Sequence, residues 1–188
     1  MTPKTKTIVI VPTKALARNQ VERVNQQTQR EVASFLEGGD GLNYNQTMSF
    51  LLQNTEIRLV YVTPEKLSKN NAVQKAISVL NNDMGQILNV VVDEAHNLIL
   101  SDETEEGSQS HLQHAREYPR AIEFLQGLNP PVRFIATTAT ATQAARTAIK
   151  EKLKFGPTND SLKFNPRDSK SFELIMPIYR ENIMIQVR

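Results

Sequence analysis

The sequence predicts an α/β domain built on an open, mostly parallel sheet flanked by helices. Three observations carry this reading. Short β-branched apolar runs recur at Ile8–Val11, Ile57–Val62, Ile87–Val92 and Val132–Ala136, each bounded by turn residues or charges. Continuous apolar runs of this length suit strands covered on both faces. Helical patterns lie between them, and strands alternating with helices indicate βαβ units.

The elements follow in order. After the first strand, Ala15–Val24 places Leu16, Val21 and Val24 among polar residues, a helical spacing. Gly38, Gly39 and Gly41 read as a turn after that helix. Further helices are expected around Met48–Leu52 and over Val73–Leu80, Arg120–Leu128 and Ala141–Leu153. Asn129-Pro130-Pro131 ends a helix before the fourth strand, and Gly156-Pro157 closes the last long helix. Ser101–Gln113, with Asp102, Glu103, Glu105 and Glu106, reads as an acidic surface loop. Glu173–Tyr179 and Asn182–Val187 are two further candidate strands. No internal repeat or low-complexity tract occurs.

Composition narrows the function classes. The 188 residues suit one domain or one lobe of a larger assembly, and 39% hydrophobic with 22% charged residues is globular composition. The net charge of +2 diagnoses no partner, although residues 1–30 carry six basic residues against Glu22. Cysteine is absent, which excludes disulfides, thiolate metal sites and a cysteine nucleophile within these residues. No apolar run approaches the roughly 18 residues of a spanning helix. The basic start and short apolar run that stops at Pro12 do not make a secretory leader. The expectation is a soluble intracellular protein, neither secreted nor membrane-bound.

The strongest local signal is Asn89-Val90-Val91-Val92-Asp93-Glu94-Ala95-His96, an apolar strand that ends in adjacent carboxylates. Ligands of open α/β sheets sit beyond the carboxyl ends of strands. A carboxylate there can hold Mg²⁺, and a second beside it can orient or deprotonate a water. The plainer alternative is a solvated pair capping the next helix.

These residues reach a family. Asp93-Glu94-Ala95-His96 resembles the DEAH form of the Walker B motif in superfamily-two helicases. The stretch from Ile8 to Val21, with Pro12-Thr13-Lys14, is similar to motif Ia. Leu59-Val60-Tyr61-Val62-Thr63-Pro64-Glu65-Lys66-Leu67 is similar to motif Ib, and Phe134-Ile135-Ala136-Thr137-Thr138-Ala139-Thr140-Ala141-Thr142 to motif III. The Thr-Ala-Thr-Ala-Thr form of motif III resembles the RecQ branch. So do Arg116-Glu117-Tyr118, near an Arg-Pro-Glu-Tyr stretch of RecQ proteins, and Arg180-Glu181-Asn182-Ile183, near their Arg-Pro-Asn segment.

The resemblance implies a RecA-like sheet, incomplete at the N-terminus, in a RecQ-like ATP-dependent 3′-to-5′ DNA helicase. It implies a partial first lobe over residues 1–155 and a segment over 156–188 that leads toward a second lobe. Catalytic roles fall to Asp93, as holder of Mg²⁺, Glu94, as activator of the hydrolytic water, and His96. Thr138, Ala139 and Thr140 would couple the nucleotide state to DNA. Pro12, Thr13, Lys14, Thr63, Pro64 and Glu65 would meet the DNA backbone, where contacts give affinity without sequence information. Thr63-Pro64 equally reads as a helix start, with Thr at the N-cap and Pro at N1. The Thr-rich motif III likewise reads as a strand end that caps the next helix. The implied cofactors are ATP and Mg²⁺, with no zinc. The implied partner is DNA, single-stranded or forked, with no membrane. The implied location is the nucleus of a eukaryote, otherwise the cytoplasm.

Departures qualify the activity. No Gly-x-x-x-x-Gly-Lys-Ser/Thr occurs, so the phosphate cradle of a P-loop is missing from these residues. The arginine finger of a second lobe is missing too. Where RecQ proteins carry an aromatic-rich loop after DEAH, this sequence has Asn97-Leu98-Ile99-Leu100-Ser101 and then acidic residues, with no Trp anywhere. The expectation is a lobe inactive by itself, completed by missing helicase portions or a partner chain. In RecA-like sheets the P-loop strand lies beside the motif III strand. That strand is therefore expected at an open edge, which either the C-terminal strands cover in part or which leaves the isolated chain unstable. The alternatives are a non-catalytic DNA- or protein-binding module, an RNA helicase lobe of the DEAD/DEAH type, and an inert remnant.

Overall fold

Parallel pairing of five strands organises the protein, seen in a computed structural model that describes residues 5–37, 43–53, 55–100, 109–139 and 142–155. The chain divides into two compact units, Met1–Leu153 and Lys154–Arg188, and only Lys154 and Phe155 of the second are among the described residues. In chain order the elements are β1 (Lys6–Ile10), α1 (Lys14–Thr28), β2 (Ala33–Phe35), α2 (Tyr44–Gln53), β3 (Leu59–Val62), α3 (Pro64–Lys69) and α4 (Asn71–Asn82). They continue with β4 (Ile87–Val92), α5 (Asn97–Leu100), α6 (Gln109–Gln126), β5 (Arg133–Ala136) and α7 (Gln143–Lys152). The sheet order is β2-β3-β1-β4-β5, and every pairing is parallel. An α/β open parallel sheet flanked by helices is thus the fold.

Strand alternation explains the core. Val9, Val11 and Tyr61 lie on one face with Ala17, Leu16, Val21 and Val24 of α1 packed over them. Ile8, Ile10, Val60, Val62, Val90 and Val92 occupy the alternate positions and are also buried, so the sheet is covered on both sides. This is why the strands read as unbroken apolar runs.

Local chemistry sets the helix boundaries. Thr13 caps α1, its hydroxyl accepting from Leu16 N–H at 3.2 Å. Thr63 caps α3 with Pro64 in the first turn, as the Thr-Pro pair predicts. Asn70 ends α3 and starts α4, its side chain accepting from Val73 N–H at 3.0 Å. Thr142 caps α7.

Some expectations need correction. The region after α1 holds a strand, β2, that the sequence reading lacks. It is three residues long and is clamped from α1. Asn25 accepts from Val32 and Ala33 N–H and donates to the Ala33 carbonyl. The helix expected from Arg120 begins at Gln109 and runs through Pro119, so Gln109–Gln113 belong to a helix and not to the acidic loop. Proline removes the N–H that would reach one turn back and its ring crowds the carbonyl there, and the packed helix carries both costs. Short helices α3 and α5 also escaped the periodicity reading. Ser101–Ser108, Glu173–Tyr179, Asn182–Val187 and the Gly38–Gly41 turn lie outside the described residues.

At the far side β5 is the edge of the sheet among the described residues, and its Ile135 is 46% exposed. The C-terminal strands expected to cover it lie outside the described residues. No helix among the described residues is long and apolar enough to cross a membrane.

Candidate active site at the carboxyl rim of the sheet

Register brings the sequence motifs to one rim. Ile10 pairs with Val62 and with Val92, and Val92 pairs with Ala136. The next residues are therefore Val11, Thr63, Asp93 and Thr137, side by side across four strands. Backbone bonds extend the ladder past the strands: Val11 N–H to the Val62 carbonyl at 3.1 Å, Asp93 N–H to Ile10 at 3.0 Å and Thr137 N–H to Val92 at 3.0 Å. Adjacent rim residues that lie roughly 45 to 80 positions apart in sequence thus sit one interstrand spacing apart, about 4.8 Å.

Asp93 is the crossing point. Its Oδ1 accepts from Glu94 N–H at 3.0 Å and from the Thr137 hydroxyl at 2.8 Å. Its Oδ2 accepts from the Gln20 side-chain amide at 2.7 Å, which reaches over from α1. Its main-chain carbonyl accepts from the Tyr118 hydroxyl of α6 at 3.2 Å.

Glu94 adopts a left-handed backbone with φ of 50°. A side chain there is strained by about 1–2 kcal/mol, and neighbouring bonds must hold it. Those bonds are present. Its N–H is held by Asp93, and its carbonyl accepts from both the main-chain and side-chain N–H groups of Asn97 at 2.9 Å. Ala95 is fully buried, with its N–H on the Thr137 carbonyl at 2.9 Å, which ties the turn to β5. A larger residue would meet the core at that position.

His96 joins the turn to motif III. Its Nδ1 lies 3.2 Å from Glu94 Oε2 and 3.1 Å from the Thr138 hydroxyl. About a third of each side chain of Glu94 and His96 remains open to solvent, so both can meet a ligand.

The other predicted residues are placed as follows. Thr13 and Lys14 are exposed at the start of α1, and Pro12 is half-buried. Thr63 and Pro64 are buried at the start of α3, where Thr63 accepts from Lys66 N–H, while Glu65 is half-buried. Thr138 is half-buried and Ala139 exposed; Thr140 lies outside the described residues.

Three participants carried no assigned role in the sequence. Gln20 and Thr137 lay inside quoted motifs without one. Helical spacing from buried Ala17 puts Gln20 on the inward side of α1, and strand register places Thr137 beside Asp93. Tyr118 is fully buried, and burial followed by the carboxylates of Asp93, Glu65 and Glu94 pushes its hydroxyl well above the ordinary tyrosine range. Tyr61, also buried and near Asp93, shifts in the same direction.

The donor set fits Mg²⁺ in one particular way. Oδ1 of Asp93 already accepts two bonds, whereas Oδ2 accepts one and keeps a lone-pair direction free. Among the described residues no cluster of three acidic or histidine side chains forms an all-protein cage. One carboxylate beside phosphate oxygens and waters is the mode in which Mg²⁺ is commonly bound.

Comparison with known proteins identifies a family. The family description "DEAD/DEAH box helicase" matches residues 1–148. The ATP-dependent helicase SGS1 of Saccharomyces cerevisiae is 31% identical over 149 residues, 79% of this chain and 9% of that protein. The RecQ-like DNA helicase blm-1 of Caenorhabditis elegans is 30% identical over 132 residues, 70% of this chain and 12% of that protein. The chain thus spans about a tenth of the length of these relatives. Among solved structures, the Pyrococcus furiosus Hef helicase domain aligns with a TM-score of 0.38 at 18% identity, covering 81% of this chain and 28% of that one. With Asp93–His96 at the end of β4, Thr137 and Thr138 beside them and a family match that runs from the first residue to α7, the chain belongs to the DEAD/DEAH box helicase family, on its RecQ-like branch.

Proposed function

We propose that this chain is the part of a RecQ-like DNA helicase lobe where a Mg-ATP site meets the DNA-facing helix starts. The observation that carries the reading is the contact of His96 Nδ1 with both Glu94 and the Thr138 hydroxyl, which joins DEAH to motif III across adjacent strands. Phosphoryl transfer relies on Mg²⁺ and cations to offset phosphate charge, with little covalent chemistry asked of the protein. Asp93 would hold Mg²⁺, which would offset the charge of the phosphates. Glu94 orients the attacking water and accepts its proton at a carboxylate oxygen. His96 passes the position of Glu94 to Thr138, and Ala139 and Thr140 carry it onward. Pro12, Thr13 and Lys14 face the DNA backbone, with Thr63, Pro64 and Glu65 forming the neighbouring helix start.

DNA, single-stranded or forked, is the substrate in this reading. The protein then works in the nucleus of a eukaryotic source, or in the cytoplasm otherwise. These 188 residues contain no P-loop sequence, so the phosphate cradle has to be supplied from elsewhere and the chain by itself does not turn over ATP. Calorimetric titration with Mg-ATP and with single-stranded DNA tests this. The expected result is salt-dependent DNA binding without micromolar Mg-ATP binding. Steady-state ATPase activity abolished by Glu94→Gln overturns the half-site reading. Equal affinity for RNA and DNA strands replaces it with an RNA helicase lobe.

A further inference from the structure

Two adjacent residues of α6 reach different parts of the rim. Glu117 is only 4% exposed, and a buried carboxylate is costly unless it is paired and hydrogen-bonded. Two of its partners belong to the last turn of α3: the Ser68 hydroxyl donates to it, and Lys69 Nζ lies 3.0 Å away. Arg120, one turn along α6, adds a longer contact at 3.8 Å. Tyr118 follows Glu117 by one residue. Successive helical residues project about 100° apart, so Tyr118 points elsewhere, and its hydroxyl meets the Asp93 carbonyl at 3.2 Å.

That carbonyl belongs to the peptide group linking Asp93 to Glu94. The N–H of the same peptide group is held by Asp93 Oδ1. Both polar ends of one peptide plane are therefore fixed, the N–H from the DEAH turn itself and the carbonyl from α6. The orientation of this plane sets φ of Glu94, which sits at 50°, outside the ordinary basins for a residue with a side chain. Rotation of the plane would swing the Glu94 carboxylate away from His96.

We propose that Glu117 and Tyr118 act as a strut of two positioning residues: Glu117 locks α6 to α3, and Tyr118 transmits the position of α3 to the Asp93–Glu94 peptide, and so to the Glu94 carboxylate. This deepens the proposed function and rests on it, because α3 begins at the DNA-facing Thr63-Pro64-Glu65. The strut gives nucleic acid at that helix start a mechanical route to the water-orienting carboxylate. The route is separate from that through motif III.

Hydrogen exchange of the full chain, with and without a single-stranded oligothymidylate, reads each part separately. In the wild type, DNA slows exchange at the starts of α1 and α3 and also at Glu94–Asn97. Tyr118→Phe, which removes one hydroxyl and keeps the ring, retains DNA affinity and slowing at the helix starts but loses part of the slowing at Glu94–Asn97. Glu117→Gln, which keeps an acceptor for Ser68 and breaks the pairing with Lys69, gives the same selective loss. Slowing at Glu94–Asn97 that is undiminished in both variants overturns the strut, as does its absence from a wild type whose helix starts are protected. A purely structural role also overturns it, and appears as faster exchange throughout the unit with the DNA-dependent difference unchanged. If DNA protects neither helix start in the wild type, the proposed function fails first and the strut falls with it.

Discussion

Removing the Asp93 side chain should separate its structural work from its chemical work. Its carboxylate accepts three bonds, all from neutral donors: Glu94 N–H, the Thr137 hydroxyl and the Gln20 amide. The Glu94 and Gln20 bonds are part-buried, and the Thr137 bond is exposed. A net bond contributes about 0.5–1.5 kcal/mol, somewhat more to a charged group and less where water competes. Asp93→Ala also frees the N–H of a residue held in a left-handed conformation. The expected loss is about 2–3 kcal/mol. For a unit of this size that lowers the melting temperature by about 5–10 °C.

Asp93→Asn should behave differently. The amide oxygen can keep the bonds from Glu94 and Thr137, and Gln20 can turn its own amide to accept from the new NH₂. Its cost should stay under about 1 kcal/mol. Urea denaturation of wild type and both variants at neutral pH measures the difference, with an unchanged slope as the check on two-state behaviour. If Asn is as damaging as Ala, charge and not hydrogen-bond count holds the turn. If Ala is harmless, the three bonds add nothing net and the argument from geometry fails. A nucleotide-binding test built on Asp93→Ala would confound loss of the proposed metal ligand with loss of the turn, and Asp93→Asn avoids this.

Three further outcomes are expected. Glu94→Gly removes the carboxylate proposed to orient water yet should leave stability unchanged or raise it by up to about 1 kcal/mol, because glycine accepts the left-handed backbone without strain; a loss above that size in a melt refutes the strain argument. Burial pushes the Glu117 carboxyl up, but the Ser68 hydroxyl, Lys69 and Arg120 together bring it below its ordinary 4.5. Its stabilising contribution is then complete above the ordinary value and is lost as pH falls through the lower folded value, so the acid limb of a stability profile should flatten in Glu117→Gln. Asn25→Ala removes three side-chain bonds to Val32 and Ala33 and should cost about 2 kcal/mol, with exchange at β2 rising more than at β1.

What the sequence could and could not reveal follows from the range of the contacts involved. The apolar runs gave the central strands, since burial on both faces is written into consecutive residues such as Val90 to Val92. The cap Thr63 was legible because a cap acts over three residues. β2 was not, because three residues carry too little periodicity and its place depends on pairing with β3 and on a side chain from α1. Pro119 concealed the first half of α6, where packing against α3 outweighs one missing backbone bond. At the site, the acid pair and its strand were local and readable. Gln20 lies 73 residues from Asp93 and Tyr118 lies 25 residues away, and neither link has a sequence spacing of its own.

That division has a consequence for how the site works. The residues proposed to do chemistry, Asp93, Glu94 and His96, occupy one turn, so a motif describes them. The groups that hold them come from α1, α6 and β5, and each arrives on a different element. Asp93 receives Gln20 from the helix that opens at Thr13 and Lys14, and it receives Tyr118 from the helix locked to α3. Both proposed DNA-facing helix starts therefore end on the same residue by separate paths, one through its side chain and one through its main chain. A change confined to either start would bias the carboxylate or the peptide plane but not both. Hydrogen-exchange differences at Glu94–Asn97 in Gln20→Leu and Tyr118→Phe should accordingly add in the double variant, and strong non-additivity would mean that the two paths are one.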